Sequence, residues 1–194
     1  YLLPEKFNTE FSQATLTAYG VNYSVIKRNQ KVWVENLLVI PRICPTGNYR
    51  PQLINNMRCR FRAFYKVPCK RRRLYITWSK AEKRTIINEG RLFPVLKKFD
   101  FEVVAMEGMS FEQQFKHVAE SDMLISLHGA GLTHMIWMQK NSDIIEIRAN
   151  NDSHNNCYFS LASDLGHLYY YILAKRTSDQ VTQLSDFVVD VEAF

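Results

Sequence analysis

Seven consecutive residues, His128-Gly129-Ala130-Gly131-Leu132-Thr133-His134, hold two of the chain's seven glycines and two of its five histidines. They follow the apolar run "DMLISL" directly. Glycine lacks a Cβ, so backbone can turn sharply there or come close to another group. If a helix opens at this point, the N–H groups of Ala130 to Thr133 have no acceptor inside it and form the positive end of its dipole. An anion such as a phosphate suits that place. The helix end contributes about 0.3–1 kcal/mol, and each bond from an N–H or the Thr133 hydroxyl to a charged oxygen about 1.5–3 kcal/mol. A tight turn that binds nothing accounts for the same two glycines. The run also lacks the third glycine of a dinucleotide fingerprint, which disfavours a nicotinamide enzyme.

Other side chains fall near this motif by spacing. Glu146 in "DIIEIR" ends a strand, where a carboxylate can accept both hydroxyl hydrogens of a ribose or else pair with Arg148. His128 could donate to a bound group or fix the turn as a core histidine. His134 reads as structural, and the six-residue spacing is wrong for two metal ligands on one helix face. Arg84 and Asn88 stand four apart, on one face if that segment is helical. Cys44, Cys59, Cys69 and Cys157 have no metal-finger spacing, so a structural zinc is disfavoured, while disulfides and buried thiols both remain open.

The elements that must position these groups show in the periodicity. Strands are predicted at 74–78, 101–106, 122–128, 143–148 and 167–173. Helices are predicted from Ser79, with a Ser79–Glu82 capping box and a split near Pro94, then over 110–121, 131–140 and 156–166. Phe111, Phe115, Val118 and Ala119 give the second of these its apolar face. This alternation implies βαβ units and a parallel sheet with helices on both faces. Ligands sit beyond the carboxyl ends of such strands, which is where His128 to Thr133 falls. Residues 21–41 look strand-rich instead, 47–51 look like a turn, and a boundary is placed near Pro68.

Bulk properties bound the class. With 194 residues and 46% hydrophobic content, the chain fits one full domain, or one domain and part of another, with a packed core. Its apolar runs are strand-sized rather than membrane-spanning. The net charge of +6 is concentrated in residues 55–73. That run reads as a nucleic-acid patch, an anionic-membrane patch or a solvated basic face. The start at Tyr1 reads as an excerpt from a longer chain.

"AESDMLISLHGAGLTHMIWM" followed by "SDIIEI" resembles the hallmark of glycosyltransferase family 61. "LYITWSKAEKRTIINEGRLFPVL" resembles that family's strand, Arg-rich turn and Arg/Asn/Glu helix, and "FEVVAMEGMSFEQQFKHVAESD" resembles its Gln-containing helix. "YFSLASDLGHLYYYI" and "LLVIPRICPTGNYRP" extend the similarity over nearly the whole chain. The resemblance implies a GT-B-like α/β fold, with a Rossmann-type parallel sheet and a remnant of a second α/β domain. Residues 1–66 would be the tail of the acceptor-side domain and its linker, and 67–194 the donor-binding domain. It implies transfer of a sugar, with inversion and no obligatory metal or cofactor, from a nucleotide-sugar (a UDP-sugar foremost) to a glycan, polysaccharide or protein. Nucleic acid is then not a partner, while peripheral membrane contact stays open. The location would be cytoplasmic or membrane-peripheral in a bacterium, and the ER or Golgi lumen in a eukaryote. A catalytically impaired nucleotide-sugar-binding relative is the alternative.

The same resemblance implies site roles. Gly129, Ala130, Gly131, Leu132 and Thr133 would bind the donor and His128 would act at the reacting centre. Glu146 would hold the ribose, and Arg84, Asn88 and Gln114 would line the cleft. Trp78 stands where the family carries an arginine, so either Arg73 or Lys80 compensates for the missing cation or Trp78 itself stacks on a base or sugar. The general base is unassigned and is expected upstream of Tyr1.

Overall fold

A computed structural model describes residues 1–41, 43–45, 47–68, 70–79, 84–152, 156–178 and 185–194. Its centre is a six-stranded sheet of β3 (Arg72–Ile76), β4 (Phe101–Val104), β5 (Ser121–Leu127), β6 (Asp143–Ala149), β7 (Leu168–Arg176) and β8 (Phe187–Val189). The order across the sheet is β4-β3-β5-β6-β7-β8, parallel throughout except for β8, which runs antiparallel to β7. The chain leaves β3 toward β4 on one side and then returns to β5 on the other. A crevice therefore opens between the carboxyl ends of β3 and β5, where successive connections diverge.

Residue alternation explains how both faces are covered. Leu74, Ile76, Leu124 and Ile144 belong to one core, whereas Tyr75, Ile125, Leu127 and Ile147 belong to a second. The first core is closed by α2 (Pro51–Phe64), α4 (Phe111–Ala119), α5 (Cys157–Leu165) and a 3-10 helix, Ala130–Trp137. Aromatic stacking fills it: Phe61 lies on Trp137 at 4.5 Å between ring centroids, and Phe115 lies 5.3 Å from the same indole. The second face carries the short α3 (Phe93–Lys98), through Leu96 and the preceding Leu92. Helices thus flank the sheet on both sides, though unequally. A separate parallel pair, β1 (Leu2–Pro4) and β2 (Ser24–Ile26), is joined by α1 (Glu10–Ala18), which Thr9 caps by accepting from Ser12 N–H.

Several elements depart from the sequence expectation. Of the segment 21–41, only Ser24–Ile26 pairs as a strand, and 31–41 is irregular. No helix runs through Arg84 to Asn88. Arg84 has φ 63°, and Ile86 forms a bridge with Phe187 instead. Pro94 sits in the first turn of α3, where its missing N–H costs nothing. The segment after Gly129 winds as a 3-10 helix rather than an α-helix. The capping-box partner Glu82 lies outside the described residues. Ser110, by contrast, forms a complete capping box with Gln113 at the start of α4.

Helix α2 was not anticipated, because its inward side carries arginines. Arg58 is 3% exposed and donates to Leu165 O, at the last residue of α5, and to Asn55 Oδ1. Arg62 donates to Ala119 O at 2.6 Å and to Trp137 O at 2.9 Å, the last residues of α4 and of the 3-10 helix. Arg60 stacks on Tyr19 and donates to its carbonyl. Carbonyls at helix ends lack intrahelical donors, so α2 satisfies three other elements at once. Further along, Lys70 and Arg72 both pair with Glu120. The basic run is therefore largely engaged within the protein. Cys44, Cys59 and Cys157 form no disulfide among the described residues, and no described helix is long and apolar enough to cross a membrane.

Candidate functional site

The motif residues meet at the crevice between β3 and β5. β5 ends at Leu127, the His128 N–H continues the ladder to Ile147 O at 2.8 Å, and the chain turns at Gly129 into the 3-10 helix. Ala130 and Thr133 are exposed and Gly131 is half-buried, so the helix opens toward solvent. Leu132 is fully buried and its N–H is bound to Gly129 O at 3.0 Å. That residue offers a ligand neither side chain nor amide, which corrects its place in the donor-binding set.

The glycines have protein neighbours. A Cβ on Gly129 would stand 2.5 Å from Cη2 of Trp78, and one on Gly131 would stand 3.2 Å from Ser126 Oγ and 3.5 Å from Ile76 Cγ2. Gly129 has extended backbone, φ 162°, which any residue can adopt, so it is required by the indole and not by the turn. Sequence reasoning gave both glycines to ligand approach; the space they vacate is taken by Trp78, Ser126 and Ile76.

Beside this turn lies a buried carboxylate. Glu146, on β6, has no solvent exposure and accepts from the Tyr169 hydroxyl of β7 at 2.6 Å; its other oxygen is bound by His128 Nδ1. Arg148 Nε lies 3.6 Å away. Burying a carboxylate is costly unless it is paired and hydrogen-bonded, and here both conditions hold. Burial first, then the bond to Glu146, holds the Tyr169 phenol above its usual range. The His128 ring is fixed by Glu146 on one edge and meets the Tyr158 ring edge-on at 5.0 Å. Desolvation is also the main reason that the Tyr158 phenol is pushed up to about 12. Glu146 was expected at a strand end, but it lies midway along β6 with its oxygens bound by His128 and Tyr169. Tyr169 and Tyr158 were missed. A period-two reading of "LYYYI" points Tyr169 inward, but which residue it meets depends on strand register.

The remaining candidates scatter. Arg84 reaches the crevice: its guanidinium stacks over Trp78 at 4.8 Å and donates to His128 O at 3.2 Å. Asn88 donates to Val189 O and accepts from Val189 N–H, tying down β8. Gln114 donates to Met106 O and Met109 O and so holds the loop before α4. Arg73 is at the amino end of β3, donating to Phe99 O at 2.8 Å. It lies at the opposite end of the strands from the motif. Lys80 is outside the described residues. No group of three or more His, Cys, Asp or Glu placed to share an ion occurs among the described residues. A cavity of about 430 Å³ adjoins the rim, lined by Arg148, Asn151, Asp152, Asn156, Tyr169 and Tyr171 among others. A larger one, about 660 Å³ between β7 and β8, is bordered by Val188, Val189 and Ala193 and holds none of the candidate residues. The smaller one lies beside the buried carboxylate through Tyr169 and Arg148, and its lining likewise holds none of the candidate residues.

Residues 2–145 match the family model described as glycosyltransferase 61. The chain belongs to glycosyltransferase family 61. The family match takes in Trp78, Arg84 and the whole His128–Thr133 motif and stops one residue short of Glu146. Among characterised members, the chain is 32% identical over 108 residues to the EGF domain-specific O-linked N-acetylglucosamine transferase of Drosophila melanogaster, covering 54% of this chain and 20% of that protein. It is 31% identical over 111 residues to the enzyme of that name from Rattus norvegicus, 55% of this chain and 20% of the relative. It is 28% identical over 112 residues to the protein O-linked-mannose beta-1,4-N-acetylglucosaminyltransferase 2 of Bos taurus, 55% of this chain and 19% of the relative. The alignments thus span about a fifth of the length of these family 61 relatives.

Proposed function

We propose that this chain carries the donor-binding part of an inverting glycosyltransferase of GT-B architecture. Residues 67–194 would take a UDP-sugar, and residues 1–66 would be the tail of the acceptor-side domain. The β1–α1–β2 parallel unit supports that second assignment, since it is a βαβ fragment separate from the main sheet. The observation that carries the reading is the family motif at the sheet's switch point, with Ala130 and Thr133 facing solvent and Arg84 beside them. Both kinds of relative are named as N-acetylglucosamine transferases, so UDP-N-acetylglucosamine is the donor proposed first, with a protein-linked hydroxyl as acceptor.

In such a reaction the acceptor oxygen bonds to the anomeric carbon as the bond from that carbon to the diphosphate breaks. The acceptor's proton passes to a base, and negative charge collects on the leaving phosphate. Amides of Ala130 and Gly131, the Thr133 hydroxyl and the Arg84 guanidinium are placed in advance to meet that charge, which costs no reorganisation at the moment of reaction. His128 is held through Nδ1 by Glu146.

Calorimetric titration of the complete protein with UDP-N-acetylglucosamine and other nucleotide-sugars tests the proposal, with transfer of labelled sugar as the second measurement. Binding of a UDP-sugar and transfer are expected; failure to bind any nucleotide-sugar would overturn the reading. Trp78, standing over Gly129, supports a second reading of a donor-binding protein without turnover. Binding without transfer would favour it.

A further inference from the structure

We infer that Trp78 is a positioning residue that holds the Arg84 guanidinium at the switch point to face a diphosphate. The inference rests on the functional reading above and adds how this chain supplies a cation there. The indole is fixed on three sides. Its Nε1–H donates to Ser126 Oγ at 3.2 Å, and that hydroxyl donates on to Leu127 O at 3.2 Å. Its six-membered ring lies against Gly129 so closely that any side chain there would strike it. Arg84 lies over its face at 4.8 Å.

The indole cannot serve an anion as a charge, and its single N–H is spent on Ser126. What it provides is a flat, half-buried surface on which a guanidinium is held by cation–π attraction. Arg84 enters with left-handed backbone, φ 63°, and its one hydrogen bond among the described residues goes to the His128 carbonyl. A guanidinium has five N–H donors in a planar fork. Four other arginines of the central body behave differently. Arg72 and Arg148 pair with carboxylates, and Arg58 and Arg62 cap helix ends. Among the described residues no carboxylate neutralises Arg84. A cation with no carboxylate partner among the described residues, stacked on an indole and within 3.4 Å of the point where a Gly129 Cβ would be, is arranged for an anion with more than one oxygen, a diphosphate in this setting.

The test uses the complete protein with two probes, UDP and uridine, which differ only in the diphosphate. Trp78→Leu is expected to weaken UDP about tenfold, the size of a half-desolvated cation–π contact. Arg84→Lys is expected to weaken it by a similar factor, since lysine keeps the charge but loses the fork. The double variant should bind UDP no worse than Arg84→Lys alone, because Trp78 acts through Arg84. Trp78→Phe, which keeps an aromatic face, should retain most of the affinity. Uridine affinity should stay unchanged in all four, whereas a merely structural role for Trp78 would lower both probes together.

Fluorescence gives a readout that needs no change at position 78. Of the three tryptophans, Trp33 is 93% exposed on another segment and Trp137 is packed in the core. UDP, but not uridine, should shift the wild-type emission, and Arg84→Lys should abolish the shift. Undiminished UDP binding by Trp78→Leu, or losses that multiply in the double variant, would overturn the inference and leave the functional reading intact. Wild-type protein that binds no UDP would overturn both.

Discussion

Tyr169 on β7 and Glu146 on β6 are joined across neighbouring strands by a 2.6 Å hydrogen bond, and that same carboxylate grips the His128 ring. The arrangement orients an imidazole by means of a charge that no water reaches. Arg148 Nε lies 3.6 Å from the same carboxylate, and removing one partner of such a buried ion pair leaves the other uncompensated, at a cost of about 3–5 kcal/mol. Glu146→Ala is therefore expected to lose stability on that scale in urea unfolding, and to release His128. Tyr169→Phe should cost about 1–3 kcal/mol, because it strands one carboxylate oxygen. A Glu146→Ala protein as stable as wild type would show that the cluster is not a structural anchor.

Gly129 and Trp78 make a coupled pair. Gly129→Ala puts a methyl 2.5 Å from the indole, so it is expected to destabilise the fold or expel the ring, by about 1–3 kcal/mol as for other overpacked sites. Trp78→Leu introduced into the Gly129→Ala protein should restore part of that loss in thermal melting. Additive losses would mean that the two residues do not meet. Gly131→Val presses on Ser126 and Ile76 in the same way, so its effect should be read first as a change in stability and only then as a change in binding.

Stability should fall toward acid through His167. This side chain is 7% exposed and its Nε2 donates to Met135 O at 3.1 Å. Burial above all, aided by the charge of Arg58 and opposed by the Met135 bond, holds its pKa down to about 4. The unfolded chain takes up the proton near the ordinary value of about 6.5. The contribution is therefore complete above that pH and is lost as pH falls toward about 4, amounting to roughly 3 kcal/mol. His167→Gln, which can still donate to the carbonyl, should flatten the pH dependence of the urea midpoint over that interval. An unchanged slope would place the acid sensitivity elsewhere.

Arg62 should matter far more than an ordinary surface arginine. It donates to the last carbonyls of α4 and of the 3-10 helix, so Arg62→Ala leaves two helix ends short of a donor. A loss of about 1–3 kcal/mol in denaturant unfolding is expected, with Arg62→Lys intermediate. A change below about 0.5 kcal/mol, typical of exposed positions, would contradict the clamp.

The sheet was legible because buried parallel strands read as short apolar runs with few rival interpretations: "LYITW", "FEVVAM", "DMLISLH" and "DIIEIR" fall within a residue or two of the observed strands. Helix α2 was not, since Arg58 and Arg62 occupy inward positions and break the apolar period that marks a helix. The left-handed backbone of Arg84 is incompatible with the helix that spacing alone carried through Asn88. In the site, the rim position of His128 to Thr133 followed from fold logic. Which atoms fill the space beside Gly129 and Gly131 did not, because that depends on how β3 and β5 sit in register.

Helix α2 also bears on the order of folding. Its arginines bind carbonyls 57, 75 and 107 residues downstream, and those carbonyls exist in place only once α4, the 3-10 helix and α5 have docked on the sheet. So distant a closure is slow to form and is made after the transition state has buried most of its surface. Changes in α2 should then quicken unfolding while leaving the refolding rate nearly untouched. During synthesis the helix leaves the ribosome well before the carbonyls that Arg58 and Arg62 clasp.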